Sequence, residues 1–314
     1  MEASQSVPYV LGIDSGGTRY RVRAVSLDDQ PLGEYEGLPC SHDRVPEAEV
    51  ARRLTANIQG CLDSFGGKAG DCRAIVCGTT GCDSPEDAAF LQDLYRRQLP
   101  DFRCPMTLMS DVELAFRMIC GNLGLLILSG TGSICYGKNS RDESARVGGW
   151  PVSIFGDEGS GRYIDALALQ YYSRWLDGCR EDAELLRVIR EKTGIQSRKE
   201  LIDYAGAIAL GRVPAPNLGA EVTRAATEGN PWARAILLDA ASRLVSLAED
   251  AIQRLQLNRE ETIPVGLWGS VLQHSGPVRG ALTGALKREY PQIEILPVVT
   301  DAAQGAVRIA LDSL

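Results

Sequence analysis

The sequence predicts an α/β protein built from two domains. First, the 314 residues exceed the size at which one hydrophobic core usually stops growing. Second, apolar runs typical of strands alternate with helical periodicity, as in layered and largely parallel sheets. Third, an apolar run, a turn of glycine and hydroxyl residues and a returning run occur near residue 14 and again after residue 122, which indicates two similar halves.

The first half begins with a predicted pair of strands, "YVLGID" and "RYRVRAVSL". Helical spacing of apolar residues follows over 47–65, and a buried strand is predicted in "CRAIVCGTTG". Ser84 and Pro85 form a good N-cap and first helical residue for a helix over 85–99. The strand "CPMTLMSD" then ends at Asp111, before a helix that starts with "VELAFRM".

The second half repeats the opening pattern with "LGLLILSG", "TGS" and "ICYGKN". We expect residues 145–161 to form a loop and residues 162–256 to be helical, with breaks at Gly194, Pro214–Pro216 and Gly229–Pro231. The sheet is expected to resume in "TIPVGLWGS". A helix, the strand "IEILPVV" and a last helix over about 300–314 complete the chain.

Composition excludes several classes of protein. A net charge of -8 gives no electrostatic footprint for nucleic acid. No basic and apolar leader and no long uncharged run is found, so we expect a cytoplasmic protein without a membrane span. Nine cysteines without a C-x-x-C pair favour reduced thiols, with Cys77 and Cys135 as core residues. Two distant histidines argue against a zinc centre.

The two glycine-rich turns are candidate phosphate sites. Neither a Walker A loop nor a G-x-G-x-x-G turn occurs, but backbone N–H groups in such turns can form anion-binding nests. The glycines of these turns would let the chain approach a polyphosphate closely, and the hydroxyl residues could donate hydrogen bonds to it. The glycines are Gly16, Gly17, Gly130 and Gly132, and the hydroxyl residues are Thr18, Thr131 and Ser133. Two facing hairpins could hold one nucleotide. The alternative for either turn is a plain hairpin.

Three acidic residues follow strands or precede helices. Asp14 ends an apolar strand, where it either faces hydrated Mg²⁺ or satisfies turn amides. Asp111 is either a helix N-cap or the acceptor of a substrate hydroxyl proton in phosphoryl transfer. Asp157 either caps a helix or accepts hydroxyls of a sugar ring whose apolar face lies on Trp150.

Ordered motifs along nearly the whole chain resemble one family. They are "GIDSGGTRYRV", "CGTTGCD", "SDVELA", "LSGTGSICYG", "GGW", "GDEGSG", "WGSV" and "DAAQGAV". The chain is similar to the N-acetylglucosamine kinase and BadF/BadG/BcrA/BcrD ATPase-like family of the sugar kinase, Hsp70 and actin superfamily. This resemblance implies an actin-like ATPase fold of two ribonuclease-H-like lobes with a nucleotide cleft between them. The expected lobes are residues 1–118 completed by the helix at about 300–314, and residues 119–299.

The resemblance also assigns roles to residues. It implies that the first hairpin, with Asp14 and residues 16–18, handles the phosphates and water-bound Mg²⁺, and that residues 129–133 hold the phosphates from the other lobe. Asp111 matches the catalytic base and also faces Mg²⁺ through water. Gly269 and Ser270 match the family's segment beside the adenosine. The residues that match its sugar-binding segments are Ser41, His42, Gly149, Trp150 and Asp157. Similar kinases commonly carry Asn where this chain has Ser41, so the amino sugar stays open.

The expected activity is ATP-dependent phosphorylation of the 6-hydroxyl of an amino sugar, first of all N-acetylglucosamine. Alternatives are a glucosamine kinase, an ATP-hydrolysing activator of a dehydratase or reductase that carries an iron–sulfur cluster, and a nucleotide-gated binding protein without transfer. The expected cofactors are ATP and Mg²⁺. We expect a homodimer that binds a small-molecule sugar and neither nucleic acid nor membrane.

Overall fold

The computed structural model describes residues 7–17, 19–41, 45–150, 156–179, 183–297 and 301–314. The chain divides into a first unit, Met1–Gly121 with Val299–Leu314, and a second unit, Asn122–Val298. Over the described ranges, no helix combines the length and apolarity that a membrane span requires.

The first unit contains a mixed sheet with helices on both faces. Its strands are β1 (Tyr9–Ser15), β2 (Tyr20–Ser26), β3 (Pro31–Gly37), β4 (Cys72–Thr79) and β5 (Met106–Ser110). Its helices are α1 (Glu47–Phe65), α2 (Pro85–Gln98), α3 (Asp111–Cys120) and, from the end of the chain, α11 (Ala302–Asp312). Among the described residues the strand order is β3-β2-β1-β4-β5, antiparallel from β3 to β1 and parallel from β1 to β5.

Alternation along β1 sends side chains into two separate cores. Leu11 and Ile13 pack with α1 and α2 on one face of the sheet. Val10 packs with α3 and with Val307 of α11 on the other face. Asp14 therefore lies at the end of the face that α3 and α11 cover, and it is half-buried.

The second unit repeats this topology. Its strands are β6 (Gly124–Ser129), β7 (Ser133–Lys138), β8 (Ser144–Gly148), β9 (Ile263–Trp268) and β10 (Ile293–Ile295). Their order among the described residues is β10-β9-β6-β7-β8, with β6, β7 and β8 antiparallel and β6, β9 and β10 parallel. Both sheets thus have the same order of antiparallel and parallel neighbours, in agreement with the hairpin pattern that occurs twice in the sequence.

Helices of the second unit enclose the larger core. They are α4 (Gly161–Leu176), α5 (Ala183–Thr193), α6 (Arg198–Ala209), α7 (Gly219–Thr227), α8 (Pro231–Leu255), α9 (Ser270–His274) and α10 (Gly276–Glu289). The expected break at Pro231 is confirmed as a helix start, since Asn230 caps α8 by accepting hydrogen bonds from the N–H groups of Trp232 and Ala233.

Two strands differ from the prediction. The expectation of a loop over 145–161 is wrong at its start, because β8 extends to Gly148. β3 was not predicted either, since "PLGEYEG" carries charges and none of its residues is buried. Both are edge strands, whose outer side meets solvent and whose apolar pattern is therefore weak.

Candidate functional site

The first hairpin ends in a short turn between β1 and β2. Asp14 is paired with Arg21 and Ser15 with Tyr20, so the turn lies between Ser15 and Tyr20. A Cβ on Gly16 would meet its nearest neighbour, the Arg19 carbonyl oxygen, at an ordinary 3.5 Å. Packing against the described residues therefore does not demand glycine at this position. Thr18, a predicted phosphate contact, lies outside the described residues.

Asp14 lies near a second carboxylate, that of Asp111. Burial raises the pKa of the Asp14 carboxyl above its ordinary value, and the negative charge of Asp111 raises it further. The positive charges of Arg21 and Arg19 act in the opposite direction. The parallel strands β1, β4 and β5 bring the two acids to one edge of the sheet, because Asp14 lies near the end of β1 and Asp111 directly follows β5.

Asp111 does not cap its helix. Ser110 is the N-cap of α3, and its hydroxyl accepts a hydrogen bond from the Glu113 N–H at 3.0 Å. The carboxylate of Asp111 accepts two other bonds, from the Val112 N–H to Oδ1 at 2.8 Å and from the Thr80 hydroxyl to Oδ2 at 3.2 Å. The cap interpretation of Asp111 is thus wrong, and its partner Thr80 was not identified from the sequence.

The predicted substrate segment of the first unit is described only in part. Ser41 is buried, with 2% of its surface exposed, and its carbonyl accepts a hydrogen bond from the Val45 N–H at 3.2 Å. His42 lies outside the described residues, as does Asp43. The preceding Cys40 is held in the core, where it contacts the amide nitrogen of Asn57 at 3.3 Å.

In the second unit, the hairpin between β6 and β7 supports a following loop. The Gly130 N–H donates to the Gly132 carbonyl at 2.9 Å, which closes a tight turn, and Thr131 at its tip is exposed. Ser129 and Ser133 donate their hydroxyls to the carbonyls of Gly159 and Glu158, at 2.9 and 2.6 Å. These two hydroxyls therefore hold residues 156–161 against the hairpin.

Asp157 is part of the same attachment. Its Oδ1 accepts a hydrogen bond from the Ser133 N–H at 3.0 Å, and its backbone has a φ of +56°. Burial raises the pKa of the Asp157 carboxyl, while that N–H and the charge of Arg162 act to lower it. The cap of α4 is Ser160, whose hydroxyl accepts from the Tyr163 N–H, so Asp157 is not the cap residue.

Gly269 lies against the backbone of the second hairpin. Its φ of +97° and ψ of 156° belong to a region that is essentially restricted to glycine. A Cβ there would lie 2.5 Å from the Ser129 carbonyl carbon and 2.9 Å from the Gly130 nitrogen. Ser270 follows, with its nitrogen 3.6 Å from the position of a Cβ on Gly130. The predicted phosphate and adenosine segments of this unit are therefore adjacent.

The predicted sugar segment of the second unit emerges from β8. Gly149 adopts a φ of +73°, and its N–H donates to the Ser133 carbonyl at 3.0 Å. Trp150 follows with 62% of its surface exposed, directly before residues 151–155, which lie outside the described ranges. Gly149 and Asp157 thus both contact Ser133, and the structure brings the two motifs together on β7.

The cysteines agree with the prediction of reduced thiols. None of the nine described cysteines forms a disulfide, and Cys77 and Cys135 are fully buried in the two cores. Among the described residues, no group of three or more histidine, cysteine or acidic side chains is gathered as a metal site.

Comparisons with known proteins place this arrangement in a family. The chain is 30% identical over 306 residues to the N-acetylmuramic acid/N-acetylglucosamine kinase of Clostridium acetobutylicum, covering 96% of this chain and 98% of that protein. It is 26% identical over 314 residues to the N-acetyl-D-glucosamine kinase of Dictyostelium discoideum, covering 96% and 98%.

A solved structure from Chromobacterium violaceum, described as a proposed N-acetylglucosamine kinase, matches 96% of this chain and 99% of its own. The TM-score is 0.68 at 23% identity. This similarity confirms the predicted fold class. The model of the BadF/BadG/BcrA/BcrD ATPase family matches residues 11–310, and the chain therefore belongs to that family.

Proposed function

We propose that the protein is an ATP-dependent kinase that phosphorylates the 6-hydroxyl of an amino sugar, N-acetylglucosamine first. The observation that carries the proposal is the placement of Asp111. Its helix is capped by Ser110, so the carboxylate is not engaged as a cap at the edge of the sheet that Asp14 shares. The names of the two kinases that the chain resembles over most of its length support the substrate class.

Asp111 is the proposed base. The proton of the sugar hydroxyl passes to its carboxylate as the oxygen forms a bond to the γ-phosphorus and the bond between that phosphorus and the β,γ-bridging oxygen breaks, which releases ADP. This carboxylate accepts hydrogen bonds from the N–H of Val112 and the hydroxyl of Thr80. A base held next to the sugar hydroxyl favours the near-attack arrangement of the reacting atoms.

Asp14 and Asp111 fit a hydrated Mg²⁺. This ion usually keeps several waters and is held by one or two carboxylates together with substrate phosphates, and two neighbouring carboxylates are what these residues offer. Burial and the neighbouring charge of Asp111 raise the pKa of Asp14, and a cation next to both carboxylates would act to lower it. When bound, the cation would neutralise charge on the transferred phosphoryl group.

The glycines of both hairpins are proposed to approach the phosphates. Among the described residues, and apart from the chain neighbours, a Cβ added to Gly16 or Gly130 would have no atom within 3.4 Å, so there is room at the backbone. Thr131 is exposed in its turn, and its hydroxyl is the proposed hydrogen-bond donor to the phosphates. Ser133 is proposed to act through its contacts with residues 156–161, and Gly269 and Ser270 would lie beside the adenosine of bound ATP.

The burial of the cysteines gives less support to the alternative of an activator that carries an iron–sulfur cluster. Iron–sulfur clusters are held by groups of cysteine thiolates, and among the described residues no three cysteine, histidine or acidic side chains are gathered as a metal site. Six cysteines are buried, and only Cys179 is exposed among the nine, all of which are described. For the sugar itself, N-acetylmuramic acid enters as a second candidate, because it appears in the name of the Clostridium relative.

A coupled ADP-release assay with Mg²⁺–ATP tests the proposal. The panel contains N-acetylglucosamine, N-acetylmuramic acid, glucosamine and glucose, and phosphorus NMR identifies the phosphorylated hydroxyl. Failure of every sugar to stimulate ADP release contradicts a kinase.

The variant Asp111→Asn tests the base. We expect it to bind ATP as the wild type does in calorimetry and to lose transfer by roughly 10²- to 10⁴-fold, the usual contribution of a general base. Asp101→Asn is the matched control, because Asp101 is an exposed acid of the same unit. Near-wild-type turnover of Asp111→Asn would reject the assignment.

A further inference from the structure

Thr80 connects two strand ends of the first unit. It is the first residue after β4, and its N–H donates to the Ser15 carbonyl at the end of β1, at 3.0 Å. Its hydroxyl donates to Oδ2 of Asp111 at 3.2 Å. One residue therefore ties the strand that carries Asp14 to the carboxylate that follows β5.

The backbone around Thr80 is closely constrained. Gly78 passes so near to α3 that an added Cβ would lie 2.7 Å from the Cβ of Leu114. After Thr80 the chain turns at Gly81, which has a φ of +82°. The carbonyl of Thr80 accepts the Thr79 hydroxyl at 3.2 Å. These contacts constrain the backbone on both sides of Thr80.

The two oxygens of Asp111 are held by different elements. Val112, in the same helix, donates to Oδ1, and Thr80, from the end of β4, donates to Oδ2. With a single hydrogen bond the carboxylate could still rotate about the axis of that hydrogen bond. Two hydrogen bonds, one to each oxygen, define the plane of the carboxylate.

We propose that Thr80 is a positioning residue that sets the orientation of the Asp111 carboxylate for proton transfer. This inference rests on the proposed kinase function and deepens it. Thr80 does not remove the proton itself; it acts through Asp111. A displacement of about 1 Å at a reacting group costs on the order of 100-fold in rate, which is the scale of effect available to such a residue.

A merely structural role makes a different prediction. If the Thr80 hydroxyl serves only to satisfy a polar group in a turn, its loss lowers stability without a specific effect on turnover. If it positions the base, its loss lowers kcat and leaves the KM for ATP unchanged, and the effect depends on Asp111. A double-mutant cycle separates these possibilities.

The variants are Thr80→Val, which keeps the shape and removes the donor, and Thr80→Ser, which keeps the donor. We expect Thr80→Val to lower kcat by about 10- to 100-fold, with the KM for ATP within about twofold of wild type. Thr80→Ser restores most of kcat. In an Asp111→Asn background, Thr80→Val has no further effect. Thr107→Val, at an exposed threonine of β5, is the matched control and keeps full activity.

Three results would overturn the inference: Thr80→Val with a kcat within about twofold of wild type, Thr80→Ser as impaired as Thr80→Val, or additive effects of the two positions. Thr80→Ala replaces Thr80→Val if the latter does not fold, as judged by circular dichroism. Wild-type protein that transfers phosphate to no sugar overturns the proposed function and this inference together. An active wild type, an inactive Asp111→Asn and a fully active Thr80→Val overturn the inference alone.

Discussion

Replacement of Gly269 by alanine tests the packing of the second hairpin. The backbone at this position has a φ of +97° and a ψ of 156°. The new Cβ would lie 2.5 Å from the carbonyl carbon of Ser129 and 2.9 Å from the nitrogen of Gly130. Both neighbours are backbone atoms, which a side-chain rotation cannot move away. The substitution therefore requires a shift of β9 relative to β6.

The expected loss of stability has two parts. A side chain in this region of backbone conformation costs about 1–3 kcal/mol. Overpacking against atoms that cannot withdraw costs about 1–3 kcal/mol more. The free energy of unfolding should thus fall by roughly 2–6 kcal/mol, a large part of the about 5–15 kcal/mol that a domain usually has. ATP binding should fall with it, because the displaced backbone is that of Gly130.

The control is Gly280→Ala in α10, where a Cβ has no neighbour within 4 Å among the described residues outside its own helix backbone. This change should raise stability by about 0.5–1 kcal/mol, as expected for alanine in a helix. All four tryptophans lie in the second unit, so tryptophan fluorescence during urea unfolding reports on that unit specifically. A Gly269→Ala variant that is within about 1 kcal/mol of wild type would refute the reasoning.

Two further predictions concern acids of the first unit. Burial and the charge of Asp111 raise the pKa of the Asp14 carboxyl in the folded protein. The contribution of Asp14 to stability is therefore fully present below its pKa in the unfolded chain, about 3.9, and is lost as pH rises through its pKa in the folded protein. At pH 7, Asp14→Asn should therefore raise the free energy of unfolding by on the order of 1 kcal/mol while abolishing transfer, and a less stable variant would contradict this. The pKa of Asp301 is shifted in the opposite direction. Burial raises it, but a backbone N–H of α11 and the guanidinium of Arg23, 2.9 Å away, lower it overall. Asp301→Asn should lower stability by about 1 kcal/mol at pH 7, since the side chain is 38% exposed, and the difference should vanish as pH falls through the folded pKa, as measured by urea unfolding at each pH. A deficit that persists at low pH would contradict the second prediction.

The strands with a strong apolar pattern were predictable, and the edge strands were not. β1, β4 and β6 are nearly continuous apolar runs because both faces of each strand are covered. β3 and β8 have one side open to solvent, and charged residues occur along them. Their strand structure depends on hydrogen bonds to β2 and β7, which no local pattern records.

The sequence was sufficient to predict which residues belong to the candidate site, but not which contacts they make. Glycine and hydroxyl residues after apolar strands indicated both hairpins. The capping roles, however, belong to Ser110 and Ser160, one of which directly precedes Asp111. Serine and aspartate are both good caps, so local sequence could not decide between them. The choice follows from the backbone angle at which each strand or loop enters its helix.

Local sequence was sufficient for the alternation of strands and helices, the repeated hairpin and the acids at strand ends, because each of these features depends on neighbours within a few residues. Three contacts could be known only from the folded chain: Thr80 with Asp111, the Ser133 N–H with Asp157, and Gly269 with Ser129. They join residues far apart in the sequence. Two of them, those of Thr80 and Gly269, exist because parallel strands bring their carboxyl ends to one edge of a sheet.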